Sequence, residues 1–402
     1  MYGFTLSCPA PLETPPTQCS GPPACLKDGC KQILVTGGSG FIGSHTVLEL
    51  LNAGYMVTIV DDFANSSPES IARVRKFTNK PDMARLVFGD IRDKKSLSRV
   101  FDTCGKFYAV IHFAGLKAVG ESVKKPLAYY ENNVDGTVNL MQLMSKHKLK
   151  RMIFSSSATV YGTAKPPYNE SSQVGVGITN PYGQTKFDIE KIMQAVAKEE
   201  DGDTWALIRL RYFNPVGAHP SGLIGEEPNG IPNNLMPFIS QVATGQRKSL
   251  TIFGHHFDTP DGTGLRDYIH VVDLAKGHVK ALKYMEKTGF PIDEAINLGS
   301  GKPVSVLEMV TAFKKSCKCK VPYTFGHRRA GDLAASYAIP AKAKALLGWE
   351  ALKTVDDMTS DTWNWKQKSA GGFKHCKRAK TLSYSYSRSG AQDAVYLNGT
   401  RA

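Results

Sequence analysis

An α/β fold wound on both faces of a parallel sheet is what this sequence predicts, on three observations. From Gln32 onward, short apolar runs alternate with longer amphipathic ones, the pattern of successive βαβ units. The first apolar run enters a glycine-rich turn, TGGSGFIGS, and the second ends in Asp61-Asp62. The 402 residues are 42% hydrophobic and 21% charged, a globular composition with enough apolar side chains for a large core.

Taken in order, residues 1–30 carry Pro9, Pro11, Pro15, Pro16, Pro22 and Pro23 and read as a disordered leader, too poor in apolar surface to order itself. Residues 31–213 hold the strands expected at Ile33 to Thr36, Val57 to Val60, Leu86 to Phe88, Val110 to Phe113, Met152 to Ser155 and Ala206 to Leu210. Helices are expected at Ser44 to Ala53, Asn133 to Lys146 and Tyr182 to Lys198. Residues 214–365 change texture to Gly, Pro and Asn. They predict a smaller C-terminal α/β region whose loops close over a ligand rather than a second sheet of its own, the chain returning to the first domain at about residues 266–300. Residues 366–402 read as a disordered basic tail.

The formal charge of +14 is unevenly placed. The tail has eight Lys/Arg against one Asp and the leader one Lys against two acids, which leaves +8 on the body. A mildly basic body suits a phosphorylated small molecule, and no nucleic-acid motif accompanies it. No apolar run approaches the ~20 residues of a membrane span, and the start lacks a secretory layout, so a cytoplasmic setting is expected. In that setting Cys8, Cys19, Cys25, Cys30, Cys104, Cys317, Cys319 and Cys376 are expected to be reduced thiols, and for the four in the first 30 residues uneven spacing without partner histidines argues against zinc. His255, His256, Asp258 and His270 likewise lack a ligand spacing, so no metal is expected.

Gly37, Gly40 and Gly43 stand between the first strand and the first helix, where glycines let backbone approach a pyrophosphate at a helix amino terminus. Asp61 and Asp62 follow Gly43 by about the interval at which a carboxylate meets the adenine ribose, and an acid there repels a 2′-phosphate. A Rossmann-type domain binding NAD rather than NADP is the consequence. Asp90, Ile91, Phe113, Ala114 and Gly115 follow the third and fourth strands, at the carboxyl edge that faces the cofactor crevice.

The fifth strand ends in Ser155-Ser156-Ser157, and Tyr182 and Lys186 lie four residues apart, on one face of the next helix. Free tyrosine, with a pKa near 10, is a poor base; a nearby ammonium and an oxidised nicotinamide are expected to lower it. Ser157 can hold the same substrate oxygen, giving a three-residue proton-transfer set.

With HFAGLKAVGES, SSSATVYG, PYGQTK, RYFNPVGAHPSG, GIPNNLMP and GLRDYIH in order, residues 31 to 366 resemble the extended short-chain dehydrogenase/reductase family, in its UDP-glucose 4-epimerase group. The resemblance implies a bound NAD that takes a hydride from carbon 4 of a UDP-hexose and returns it to the opposite face, interconverting UDP-glucose and UDP-galactose in galactose metabolism. Tyr182 would be the base, Lys186 its support, and Ser157 the ligand of the 4-hydroxyl. Phe41, Ile42, Asn65, Ser66, Lys117, Asn132 and Phe213 join the cofactor positions. Lys117 also borders the UDP-sugar, with Asn214, Asn234, Leu235, Phe253, Arg266, Arg329 and Asp332, arginine forks suiting a diphosphate. A homodimer is the family's usual state.

Ser336 departs from many members restricted to plain hexoses, which carry a tyrosine there. The smaller side chain predicts that UDP-N-acetylhexosamines are substrates as well. Ala158-Thr159 stand where family 4,6-dehydratases carry Asp-Glu, so elimination of water lacks its acid and base. A non-catalytic NAD sensor would not need Tyr182, Lys186 and Ser157 together.

Overall fold

Apolar runs too uniform to leave one face wet become strands buried on both faces. The computed structural model describes residues 16–21, 23, 29–198, 204–329, 331–369 and 373, all within the unit Leu12–Phe373. Its main sheet is built from β1 (Gln32–Thr36), β2 (Met56–Asp61), β3 (Ala84–Phe88), β4 (Ala109–His112), β5 (Arg151–Ser157) and β6 (Ala206–Tyr212). Between them run α1 (Phe41–Asn52), α2 (Pro68–Thr78), α3 (Lys94–Thr103), α4 (Val119–Lys124), α5 (Pro126–Tyr129), α6 (Gly136–Lys146) and α7 (Pro181–Val196).

Beyond β6 come β7 (Asn214–Val216), α8 (Leu235–Ala243), β8 (Leu250–Phe253) and β9 (Leu265–His270). The chain then re-enters the main sheet through α9 (Val271–Thr288) and β10 (Ile292–Leu298). It ends in β11 (Pro303–Ser305), α10 (Val306–Cys317), β12 (Tyr323–Gly326), β13 (Ala335–Ser336), α11 (Ala341–Leu347) and α12 (Val355–Lys368).

The sheet order is β10-β6-β5-β4-β1-β2-β3, with every pairing parallel. Alternation along each strand sorts the core. Ile33, Val35, Ile59, Ile111 and Ile153 pack with α1, α2 and α9, whereas Leu34, Val110, Met152 and Phe154 pack with α3, α6 and α7. The chain leaves β3 and re-enters beside β1 as β4, so the crevice at the carboxyl ends opens between β1 and β4. A further core joins α8, α10 and α12 through Met236, Ile239, Phe313 and Met358.

Four sequence expectations need correction. The region after Asn214 does form sheets: β9 pairs with β11, β13 and β7, and β12 pairs with β8. These strands have two to six residues, too few to display a period. Part of the leader is fastened along β3, the Phe88 amide donating to the Pro16 carbonyl at 2.9 Å and the Arg85 guanidinium to that of Gly21. The described cysteines are not thiols: Cys19 bonds to Cys104, Cys317 to Cys319, and Cys30 is disulfide-bonded too. The first bond spans 85 residues, a proximity that spacing cannot reveal. Finally, order extends past Lys366, whose buried ammonium donates to Glu227 at 2.8 Å, because α12 buries Met358, Thr362 and Trp365 on its other positions. The rest of the leader and tail, with Cys8, Cys25 and Cys376, lies outside the described residues. Among those described, no helix is long and apolar enough to cross a membrane.

Candidate functional site

Gly37 ends β1 with φ +69, a left-handed conformation natural to glycine, and its amide donates to the Val60 carbonyl at 2.7 Å. A Cβ there would stand 2.6 Å from the Ala114 amide nitrogen, and one on Gly43 would stand 2.4 Å from the Gly37 carbonyl oxygen. Both glycines are therefore required by close packing of turn, helix and strand. At the start of α1, Gly40 occupies the cap position, no side chain caps the helix, and no acid stands in its first turn. The buried Ser39 hydroxyl also lacks a partner. An uncapped helix terminus beside an unsatisfied hydroxyl fits the pyrophosphate of a dinucleotide.

At the end of β2, Asp61 accepts from the Ser39 amide at 2.9 Å, the Phe63 amide at 3.0 Å and the Ser66 hydroxyl at 2.6 Å. Burial pushes its carboxyl up to about 6 against the pull of these bonds. Asp62 is also raised by burial and accepts from the Ala64 amide at 3.0 Å. Arg92 grips Asp90 through Nε at 2.9 Å and Nη2 at 2.6 Å.

The Ser, Tyr and Lys candidates meet because β5 ends at Ser157 just where α7 begins. Asn180 caps α7, accepting from the Gly183 amide at 2.9 Å, and Pro181 takes the first helical position. Tyr182 thus lies in the first turn and Lys186 one turn on. The Lys186 ammonium donates to the Ser155 carbonyl at 2.7 Å and sits 4.7 Å from the Phe154 ring centre. Burial lowers it to about 7. The Tyr182 phenol is raised by burial, while a hydrogen bond from Ser157 pulls it back. In the ligand-free protein, desolvation of the phenolate outweighs the Ser157 hydrogen bond, so the phenol stands above its ordinary value.

Sequence reading missed the residues that hold this set. Glu190 on α7 accepts from Ser156 at 2.5 Å and from the Arg211 fork at 3.0 and 2.7 Å. Arg211 also donates to the Tyr161 hydroxyl at 3.1 Å, which donates to Asn297 at 2.6 Å. The signal was present in ALIRLRY, a buried strand with arginines that must find partners. Asn133, in a π-helical turn at Tyr130–Asp135, donates to Thr185 at 3.1 Å and accepts from the Leu116 amide at 2.8 Å, tying α7 to the loop after β4.

Across the crevice, Asn214 donates to the Asp267 carbonyl at 3.1 Å. Arg266 is half-buried, and its Nη1 donates to the carbonyls of Leu265 at 2.8 Å and Leu333 at 3.0 Å. Arg329 forks onto Asp332 at 2.8 and 3.0 Å over the Phe253 ring. One cavity of about 760 Å³ runs from the glycine turn past Ser157, Tyr182 and Lys186 to Arg266 and Arg329. Every expected site residue lines it except Ser336, which pairs with Arg266 through β13 and faces the Tyr168 phenol. Glu226 lines it too and was not foreseen. Among the described residues no metal-ligand cluster occurs; His270 caps α9 and faces Asp361 at 3.1 Å.

The NAD dependent epimerase/dehydratase family model matches residues 33–299. The chain is 52% identical over 346 residues to a UDP-glucose 4-epimerase of Bacillus subtilis, covering 85% of this chain and 98% of that protein. It is 51% identical over 351 residues to a human UDP-glucose 4-epimerase, covering 85% and 98%. Its fold is similar to a Bifidobacterium longum UDP-glucose 4-epimerase crystallised with NAD+ and UDP, with a TM-score of 0.80 and 49% identity over 85% of this chain and all of that one.

The buried ammonium gives a pH signature. An unfolded lysine keeps its proton to about pH 10, whereas Lys186 releases it near 7. Unfolding between those values takes up a proton, so stability rises with pH across that window. Above it, the raised Tyr182 phenol reverses the trend. Urea unfolding of ligand-free protein between about pH 7 and about pH 10 should show the rise, and Lys186→Met should remove it. Equal pH slopes in the two proteins would contradict a buried lysine of depressed pKa.

Proposed function

The chain belongs to the NAD dependent epimerase/dehydratase family, on its UDP-glucose 4-epimerase branch, and on that premise we propose that it interconverts UDP-glucose and UDP-galactose in the cytosol. One observation carries the reading. Ser157, Tyr182 and Lys186 meet midway along a single cavity, with the glycine turn and its uncapped helix at one end and Arg266 and Arg329 at the other.

When bound at the glycine turn, NAD holds the electrons removed from carbon 4 until they return. The protein's residues do the rest. Ser157 and Tyr182 share a hydrogen bond, so both hydroxyls can address one sugar oxygen. Tyr182 takes the proton of the 4-hydroxyl as the carbonyl forms and gives it back when the keto-sugar is reduced. Lys186, fixed by the Ser155 carbonyl, sets its ammonium beside the phenolate that accepts this proton. Arg266 and Arg329 meet the diphosphate. Ala158 and Thr159 provide no carboxylate for eliminating water, which favours epimerisation over dehydration within the same family.

The small Ser336 extends the reading to UDP-N-acetylhexosamines. Its place beside Arg266, behind the cavity wall, means that a larger residue would intrude on the sugar through the Arg266 and Tyr168 side chains. For assembly we infer a homodimer. Val123 and Leu127, 60% and 82% exposed on α4 and α5, leave an apolar helical face that a second copy would cover.

Tyr182→Phe should lose about 10²–10⁴-fold in turnover of UDP-galactose, the scale of a lost general base, with NAD still released on denaturation. Near-normal turnover would remove Tyr182 from the mechanism. Ser336→Tyr should reduce UDP-N-acetylgalactosamine turnover by at least about tenfold while sparing UDP-galactose; parallel losses on both would defeat the N-acetyl reading. In sedimentation the full chain should run as a dimer and Leu127→Glu as a monomer, whereas a monomeric parent would refute the proposed interface.

A further inference from the structure

Glu226 is a carboxylate in a cavity suited to anions. Its side chain is only 10% exposed, and a single oxygen, Oε1, accepts from the Lys117 ammonium at 3.3 Å and from the Asn234 amide at 3.0 Å. Lys117 follows the end of β4, on the dinucleotide side, while Asn234 immediately precedes α8, on the opposite side. One oxygen therefore joins the two halves of the cavity at its middle.

The loop carrying Glu226 is clamped. Its carbonyl accepts from the Trp365 indole at 3.3 Å, and the neighbouring Glu227 accepts from Lys366 at 2.8 Å. Three residues on, the Asn229 amide donates to the Asn65 side chain at 3.1 Å, beside the acids of β2. A Cβ on Gly225 would stand 2.5 Å from the Trp365 ring, so the loop and α12 are in close contact. Such clamping holds the carboxylate in place before any ligand arrives.

A buried acid adds no affinity for a diphosphate, and its charge opposes one. What it offers is geometry: an ammonium on a four-carbon stem has many orientations, and an anion at 3.3 Å selects one. Resting on the reading above, we propose that Glu226 is a positioning residue. It fixes Lys117 and Asn234 between the two nucleotide ligands, so that the UDP-sugar meets a seat already formed.

The test compares the NAD-loaded parent with Glu226→Gln, Glu226→Asp, Lys117→Met and the Gln/Met double variant. Glu226→Gln keeps size and an acceptor for Asn234 but loses the charge that orders Lys117. It should raise KM for UDP-galactose and Kd for UDP by about tenfold, with kcat within about threefold and NAD content unchanged. Glu226→Asp should recover part of the loss. The double variant should be no worse than the poorer single one, since both remove the same arrangement.

Parent-like KM and Kd in Glu226→Gln, strictly additive losses, or a loss confined to melting temperature and NAD content would each overturn the inference. Calorimetry with UDP keeps the two readings apart. A parent that binds UDP without turning over UDP-galactose would remove the epimerase reading alone, and weaker UDP binding by Glu226→Gln would still support the positioning role.

Discussion

The pairing of Glu190 with Arg211 is the constraint on which the centre of the molecule depends. Ser157 lies on β5 and Tyr182 on α7, so their meeting requires the helix to be held at one height along the strand. Apolar packing through Ile189 and Met193 draws α7 onto the sheet but tolerates small slips. Glu190 does not: it is gripped by Arg211 from β6 and by Ser156 from β5, with both charged side chains at most 4% exposed. A buried pair of this kind gains little over an apolar pair of equal volume, yet losing one partner costs about 3–5 kcal/mol because the other charge is stranded. Its contribution is therefore to exclude alternative placements of α7.

The same economy of placement recurs around the crevice. Asn133 joins the loop after β4 to Thr185, whose hydroxyl donates to the Tyr182 carbonyl at 2.8 Å. The glycine turn is fixed by backbone contacts so close that Gly37 and Gly43 cannot carry side chains. Anchors thus reach the Ser, Tyr and Lys set from β4, β5 and β6 while the reacting hydroxyls stay exposed to the cavity.

What could be read from sequence was local or strongly periodic. Buried parallel strands appear as continuous apolar runs, and the glycine turn, Asp61 and Ser157 all lie at strand ends that such runs locate. Tyr182 and Lys186 were visible because helical spacing puts them on one face. The Cys19–Cys104 bond, the strand pairings of β9 and the grip of Glu226 were not visible, since each joins segments far apart in the chain. The rise of the Tyr182 phenol in the ligand-free protein is hidden from the sequence for a related reason. The ammonium neighbour is legible in the spacing, but the depth of burial that raises the phenol is a property of the whole fold. Lys366 shows the converse error: a basic run suggested a solvated tail, whereas its ammonium is buried against Glu227.

Under the proposed reaction the site must satisfy two opposed demands. The keto-sugar has to present both faces of carbon 4 to one fixed cofactor, so the hexose must turn; the intermediate must also stay bound, so something must not turn. The distribution of charged donors would resolve this. Arg266, anchored through the backbone carbonyls of Leu265 and Leu333, and Arg329, forked on Asp332, stand at the end of the cavity proposed for the diphosphate. On this reading the contacts fixed around the reacting carbon would be the hydroxyls of Ser157 and Tyr182, addressing a single oxygen. Binding energy concentrated on the nucleotide would hold the molecule, and few directional bonds to the hexose would leave rotation about the phosphate linkage as its easiest motion. A site with equally strong contacts to every sugar hydroxyl would bind more tightly and stop at the first half of the reaction.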